Sequence, residues 1–291
     1  VESVPSIDYE PAAVERFLAE VAAADGHSPL SEHKRGAMAD GSGRVVVSSD
    51  ADGIWLVGTA ARHATDGHWA VEAAVAGRAR LPELEREAIG RAVAVVPDPA
   101  RHTLWAFRNR QVEAARALGY RPVRAVVRLS AALADTALSA GGAADIRPMA
   151  PTDVPAIVSI NNRAFAGHPE QGAMTEEGFR DLERFDWFDE SGVVVARTDR
   201  EVAGFCMTKR EADAVGEIYV VAVDPANAGR GIGRELTTAA LRLLGERGAT
   251  VAQVWADESN RAAIRLYRSI GLDVDFRTQE LALPSGDGST D

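Results

Sequence analysis

Apolar positions along this chain follow two alternating regimes. Short β-branched runs are bounded by turn residues, and longer stretches carry apolar residues three and four apart. The first regime predicts strands at Arg44–Ser49, Gly53–Ala61, Trp69–Val75, Thr103–Phe107 and Val123–Leu129. The second predicts helices at Pro11–Ala24, Leu81–Val95 and Gln111–Leu118. Asp50–Gly53 reads as a turn, Pro97-Asp98-Pro99 as a stop and Gly119 as a helix C-cap. The small-residue stretch Ala131–Ala144, with Gly141-Gly142, reads as a connector. The alternation then starts again. It predicts a short strand at Asp145–Pro148, helices at Pro151–Arg163 and Thr175–Arg184, and strands at Val193–Thr198, Val202–Lys209 and Ile218–Val223. A helix after Arg234, a strand at Thr250–Ala256, a helix at Asn260–Ile270 and a strand at Asp273–Leu283 follow. Pro284–Asp291 is polar and rich in Gly and Ser, and is expected to be disordered.

The two halves repeat. Asn109-Arg110 to Gly119-Tyr120 matches Asn260-Arg261 to Gly271-Leu272, and each stretch follows a strand containing a Trp, Trp105 or Trp255. A repeat this long means two copies of one domain rather than a solenoid. The expected division is a domain over 1–130, a linker over 131–144, a second domain over 145–284 and a tail over 285–291. The fold class is α/β (α+β): in each domain a mixed, mostly antiparallel sheet is flanked by helices.

Composition narrows the classes. The 291 residues suffice for two ordinary cores, and 46% hydrophobic with 26% charged residues is the balance of a soluble globular chain. No run approaches the roughly 18–20 apolar residues of a membrane span. A net charge of −11 argues against a general nucleic-acid binder. The single Cys, Cys206, excludes an internal disulfide and a Cys-based zinc site, and the six His are scattered without metal-ligand spacing. No leader pattern is visible. The expectation is a cytoplasmic monomer with no metal, no nucleic-acid partner and no membrane.

The stretch that carries chemistry is Gly216–Leu244, a strand, a Gly-rich loop and a helix. Asp224-Pro225 stops the strand. Ala228-Gly229-Arg230-Gly231-Ile232-Gly233-Arg234 then opens a helix with apolar positions at Leu236, Ala239, Ala240, Leu243 and Leu244. Glycines let the backbone approach a ligand, and the first helical N–H groups point at one spot with the positive dipole end behind them. That makes an anion site suited to a pyrophosphate, with Arg230 and Arg234 adding charge. Arg234-Glu235 stands where a P-loop needs Lys-Ser/Thr, and the Rossmann spacing is absent.

What remains resembles motif A of the GCN5-related N-acetyltransferases (GNATs), Q/R-x-x-G-x-G/A. Gly231-Ile232-Gly233 match the pattern. Ala228 stands where Gln or Arg is usual, so one phosphate interaction is either missing or made by the backbone alone. Ile218–Pro225 before the loop, Asn162–Gly172 (NRAFAGHPEQG) and the duplication together resemble the mycothiol synthases, a family of double acetyltransferases. The resemblance covers nearly the whole chain, strongly after Asp145 and weakly before it.

The resemblance implies an acetyl-CoA site on Val221, Ala222, Val223 and the Ala228–Arg234 loop, with Trp255 and Asn260-Arg261-Ala262-Ala263-Ile264-Arg265 along the pantetheine and adenosine end. In the first half no G-x-G follows Val75, and only Ala73-Ala74-Val75 is a possible remnant. Glu217 is the implied base and Tyr267 the implied acid. The matching place in the first half is Ala115, so one active site is expected, in the second half. Implied contacts to a cysteine–glucosamine–inositol acceptor are Glu32, Glu170, Lys209 and Glu217, around a cleft between domains. Read without the family, Glu217 is an exposed strand-end residue, Glu32 and Lys209 are plain surface charge, Trp255 is a core residue and Tyr267 a packing aromatic. Strand alternation places Glu217, Tyr219 and Val221 on one face. Cys206, between Phe205 and Met207, reads as a small buried hydrophobe.

The residues alone reach an acyl-CoA-dependent transferase with a polar acceptor. Two rivals stand beside the mycothiol reading. One is a tandem acetyltransferase for an aminoglycoside, a peptide N-terminus or a polyamine. The other is a non-catalytic acyl-CoA sensor.

Overall fold

The structure, a computed structural model, describes residues 9–63, 67–98, 101–137, 144–168, 171–185, 187–199, 201–212 and 214–284. The chain forms two compact units. The first comprises Val1–Ala125 with Thr278–Asp291, the second Val126–Arg277. The turns expected around Gly141-Gly142 and the tail 285–291 lie outside the described residues.

In the first unit, helices α1 (Pro11–Asp25) and α2 (Glu32–Ala39) precede strands β1 (Arg44–Asp50), β2 (Gly53–Arg62) and β3 (Trp69–Val75). Helix α3 (Pro82–Ala94), strand β4 (His102–Ala106), helix α4 (Asn109–Ala117) and the start of β5 (Arg121–Ala132) follow. β1, β2 and β3 pair antiparallel, and β4 runs parallel to β3. The sheet continues past β4 with the end of β11 (Asp273–Ala282), whose Gln279–Leu281 pair with Leu104–Ala106. β3 is buried along its whole length, Glu72 included, so it is sandwiched rather than half-exposed. α2 is absent from the sequence expectation. Its eight residues are polar on average, carry Gly36 inside and give no apolar stripe.

The second unit holds β6 (Asp145–Pro148), α5 (Val154–Ala164), α6 (Glu176–Arg180), β7 (Val193–Thr198), β8 (Glu201–Ala212) and β9 (Val215–Val223). Helix α7 (Ile232–Glu246), strand β10 (Val251–Asp257) and helix α8 (Arg261–Ile270) complete it. β6 to β9 form an antiparallel meander, β10 lies parallel to β9, and the second half of β5 pairs antiparallel with β10 from Val126 to Ala132. The connector expected from Ala131 therefore begins later. Ala131 and Ala132 are strand residues, and Leu133–Asp135 is a 3-10 turn.

α7 covers one face of this sheet through Leu236, Ala240, Leu241 and Leu244, which pack with Ile218, Cys206 and Val254. α5 and Phe179 cover the other face with Phe205, Met207, Val220 and Ala222. A Cβ on Gly216 would stand 2.7 Å from Leu244 Cδ2, so glycine lets α7 lie close on β9. No helix among the described residues is long and apolar enough to cross a membrane.

Candidate active site

β9 and β10 run side by side only from Val215↔Val251 to Ile218↔Val254. Beyond that pair, among the described residues, the ladder stops while each strand continues, β9 to Val223 and β10 to Asp257. The backbone of Tyr219–Val223 that would have faced β10 therefore faces a gap. Such groups must find partners, and an amide-bearing chain laid in the gap offers them.

The pairing of β8 with β9 slips by one residue at this point. Met207 pairs with Val220 but Thr208 pairs with Ile218, so Tyr219 is an extra residue in β9. A bulge of this kind re-aims the side chains beyond it. It corrects the expected alternation. Tyr219 and Val220 both pack with the α5-side core, whereas Val221 and Val223 pack with the α7-side core. Val221 therefore lies on the face opposite Glu217 and Tyr219.

At the gap, β9 is followed by Asp224, whose carboxylate accepts from the Ala226 N–H at 3.0 Å and meets Arg163 of α5 at 2.6 Å. Those bonds hold its carboxyl below the usual carboxylate range. The loop Ala228–Gly231 is exposed. Gly229 and Gly231 adopt φ of 77° and 84°, a region that favours glycine, and no Cβ contact would lie within 4 Å of either. Gly231 is the N-cap of α7 and offers no side-chain cap, so the first N–H groups of the helix point outward. Arg230 is tied to Asn227 Oδ1 at 2.7 Å, and Arg234 to Ser269 Oγ of α8 at 2.7 Å. An exposed helix N-terminus, two left-handed glycines and two nearby guanidinium groups fit a pyrophosphate.

α8 meets the start of α7 through Leu266 and Ser269. Asn260 caps it, its side chain accepting from the Ala263 N–H at 3.1 Å. Arg261, Ala262 and Arg265 are exposed, and Ala263 and Ile264 are half-buried. Tyr267, one turn further on, is buried among the α7-side residues with Val221, Val223 and Cys206. Burial, and secondarily the Cys206 thiol, push its hydroxyl above the ordinary phenol value, so it stays protonated and able to donate. Cys206 is fully buried, and burial raises its thiol as well, so it is not poised as a nucleophile. Trp255 sits under the Arg128 guanidinium at 5.9 Å and against Phe276.

On the other face, Lys209, Glu217 and Gln253 form one row across β8, β9 and β10, through the pairs Lys209↔Glu217 and Glu217↔Gln253. All three are buried, at 7%, 6% and 5% exposure, so neither Lys209 nor Glu217 is the surface charge that the bare sequence allows. Gln253 Nε2 donates to Glu217 Oε2 at 2.8 Å. Lys209 Nζ lies 5.6 Å over the Trp187 ring, which packs at 4.7 Å on Tyr219. Base and acid candidates thus stand on opposite faces of the sheet, near the point where β9 parts from β10. Sequence reasoning missed Gln253 and Trp187. Gln253 had a signal, being the lone amide in the otherwise apolar run Val251–Trp255.

Asn161 and Asn162 of α5 fasten the following loop, donating to the carbonyls of Gln171 at 2.6 Å and Met174 at 2.8 Å. Glu170 itself lies outside the described residues. Glu32 begins α2 of the first unit, and its side chain lies outside the described residues. In that unit Ala73–Val75 ends β3, but the gap beside it is filled. Gln111 of α4 donates to the Ala73 carbonyl at 2.8 Å and accepts from the Phe107 N–H at 2.9 Å, and Arg80 Nε donates to the Val75 carbonyl at 3.3 Å.

Comparison with known proteins follows the same lines. Residues 155–272 match the acetyltransferase (GNAT) family. The tandem GNAT protein from the clavulanic acid biosynthesis pathway superposes with a TM-score of 0.72 at 14% identity, covering 96% of this chain and 97% of that one. A GCN5-related N-acetyltransferase from Sphaerobacter thermophilus gives a TM-score of 0.70 at 22% identity, covering 94% and 93%. These establish two tandem GNAT folds. Among curated relatives, the mycothiol acetyltransferase of Tsukamurella paurometabola is 37% identical over 90% of this chain and 92% of its own length. That of Thermomonospora curvata is also 37% identical, over 85% and 84%. On identity sustained along both domains, the chain belongs to the mycothiol acetyltransferase family.

Proposed function

We propose that this chain transfers the acetyl group of acetyl-CoA to the cysteinyl amine of a cysteine–glucosamine–inositol conjugate, giving mycothiol, in one ternary complex. The observation that carries the reading is the buried carboxylate of Glu217 in the last pairs before β9 and β10 part, beside a Gly-capped helix suited to a pyrophosphate.

Acetyl-CoA supplies the acetyl group as a thioester. The Ala228–Arg234 loop and the N-terminus of α7 hold its pyrophosphate, and the face of Asn260–Arg265 flanks the adjoining arm. The open backbone edge of Val221–Val223 receives the pantetheine amides and orients the carbonyl. Glu217 accepts the ammonium proton, directly or through one water, which frees the amine lone pair to attack the carbonyl carbon. As the C–S bond breaks, Tyr267 gives its proton to the leaving sulfur, and the second amine proton, shed as the amide forms, returns to the Tyr267 oxygen. The buried Cys206 thiol takes no part, so no acetyl-enzyme intermediate forms. Lys209 and Glu170 contact the polar acceptor.

The test is CoA release with a panel of acceptors: the conjugate, an aminoglycoside, spermidine and a short peptide. Strong preference for the conjugate, abolished in Glu217→Gln, is expected. Turnover with another amine alone would retain the acetyltransferase and remove the mycothiol assignment. Tight acetyl-CoA binding without any turnover would instead mark a sensor.

A further inference from the structure

The last torsion of a Glu side chain, between sp³ and sp² atoms, is broad and nearly two-fold. A β-strand backbone therefore sets where the Glu217 carboxylate lies but not the plane in which its oxygens face a substrate. A proton acceptor needs that plane held to within about 10–20°. Gln253 is a side chain that grips it. Gln253 Nε2 donates to Glu217 Oε2 at 2.8 Å, with both groups buried.

The register makes this contact specific. Glu217 and Gln253 are direct partners in the parallel ladder, one pair before its last, Ile218↔Val254. The first unit provides an internal control. Its equivalent ladder has three pairs, Trp69↔His102, Ala70↔Thr103 and Val71↔Leu104. Counting back from the ends of the two ladders, Ala70 stands at the place of Glu217 and Thr103 at the place of Gln253. Thr103 donates its hydroxyl to Glu280 at 2.7 Å instead. The copy without the carboxylate also lacks the amide.

We infer that Gln253 is a positioning residue, whose amide fixes the plane of the Glu217 carboxylate at the mouth of the β9–β10 gap. The inference rests on the reading of Glu217 as the base. Lys209, the partner of Glu217 on β8, supplies the opposite charge in the same row, while Gln253 supplies direction without charge.

The test is a double-mutant cycle on the full chain, with the conjugate as acceptor. Gln253→Met keeps the volume and removes the donor, and Gln253→Ala is the control for shape. Both are expected to lower kcat by ten- to a hundredfold, with acetyl-CoA affinity by calorimetry within twofold of the parent. Combined with Glu217→Gln, whose residual turnover is read with radiolabelled acetyl-CoA, Gln253→Met is expected to cost less than twofold further. A residue that only supports the sheet lowers both backgrounds alike. Equal losses in both backgrounds, or an unchanged kcat in Gln253→Met, would overturn the inference. If Glu217→Gln itself turns over at the parent rate, the base reading fails first, and that outcome is distinct from the others. Should Gln253→Ala unfold, Gln253→Met with an unchanged melting temperature decides the question alone.

Discussion

Gln111 bridges the gap beside β3: its side chain donates to the Ala73 carbonyl and accepts from the Phe107 N–H, joining the end of β3 to the end of β4. The helix of the second unit offers no such bridge, because Ala262 and Ala263, at corresponding places in α8, carry no amide. The first copy has its backbone acceptors occupied from within. Calorimetry with acetyl-CoA is therefore expected to give one equivalent per chain, and two would refute this. Gln111→Ala leaves a buried carbonyl and N–H unpaired, which costs roughly 1–3 kcal/mol each where water cannot enter. A lower denaturation midpoint with unchanged turnover is the expected pair of results.

Gly231→Ala tests the phosphate loop. Its Cβ would meet nothing within 4 Å, so the penalty is conformational, from φ of 84° alone. That penalty is about 1–2 kcal/mol. The variant is expected to fold, with KM for acetyl-CoA raised several-fold and kcat within twofold. An unchanged KM would place the pyrophosphate elsewhere.

Tyr267→Phe removes the donor while keeping the ring that packs against α7. A fall in kcat of about 10²-fold is expected, with little change in melting temperature. Because burial holds the phenol above its ordinary value, the folded chain keeps this proton where the unfolded chain has released it. Stability from this group is complete below about pH 10 and is lost as pH rises from there through the folded value. The parent should thus lose stability at the alkaline edge more steeply than Tyr267→Phe, as measured by urea midpoints from pH 9 to 11.

Asp153 gives the acid-side counterpart. Arg147 binds its carboxylate with two bonds, at 2.7 and 2.8 Å, and the Ala150 N–H adds a third at 2.7 Å. The Arg147 guanidinium foremost holds this carboxyl below the usual carboxylate range. Its stabilisation is present above about pH 4 and is lost as pH falls through the depressed folded value. Asp153→Asn should lower the urea midpoint at pH 7 and make progressively less difference toward pH 2.

Cys206 should resist thiol reagents in the native chain and react only on unfolding, since it is fully buried with its thiol raised. Rapid native labelling would show a loosened α7–β9 contact.

Strand β9 was legible because β-branched runs have few other uses, and α7 because its apolar stripe follows three left-handed-tolerant glycines. The Asn260 and Gly271 caps likewise announce α8. The bulge at Tyr219 was not legible. An extra residue within Ile218–Val223 leaves the local apolar pattern intact, and only the partner strand reveals the slip. Nor was the burial of Lys209 and Glu217, since charged residues default to the surface unless a distant partner covers them. The Gln111 bridge depends on two backbone groups outside its own helix, and no local pattern encodes that. In α2, a polar helix with an internal glycine leaves no periodicity to read.

The strand beside β4 comes from the end of the chain, and the strand beside β10 comes from the middle. Neither half of the gene therefore encodes a complete sheet. A chain severed within 138–143 would yield two pieces, each with an unpaired edge open to its own kind. During synthesis the first unit must wait for Gln279–Leu281 to leave the ribosome before that strand can dock on β4. The duplication thus ties two folds into a single unit of inheritance: a truncation before Thr278 damages the domain made first.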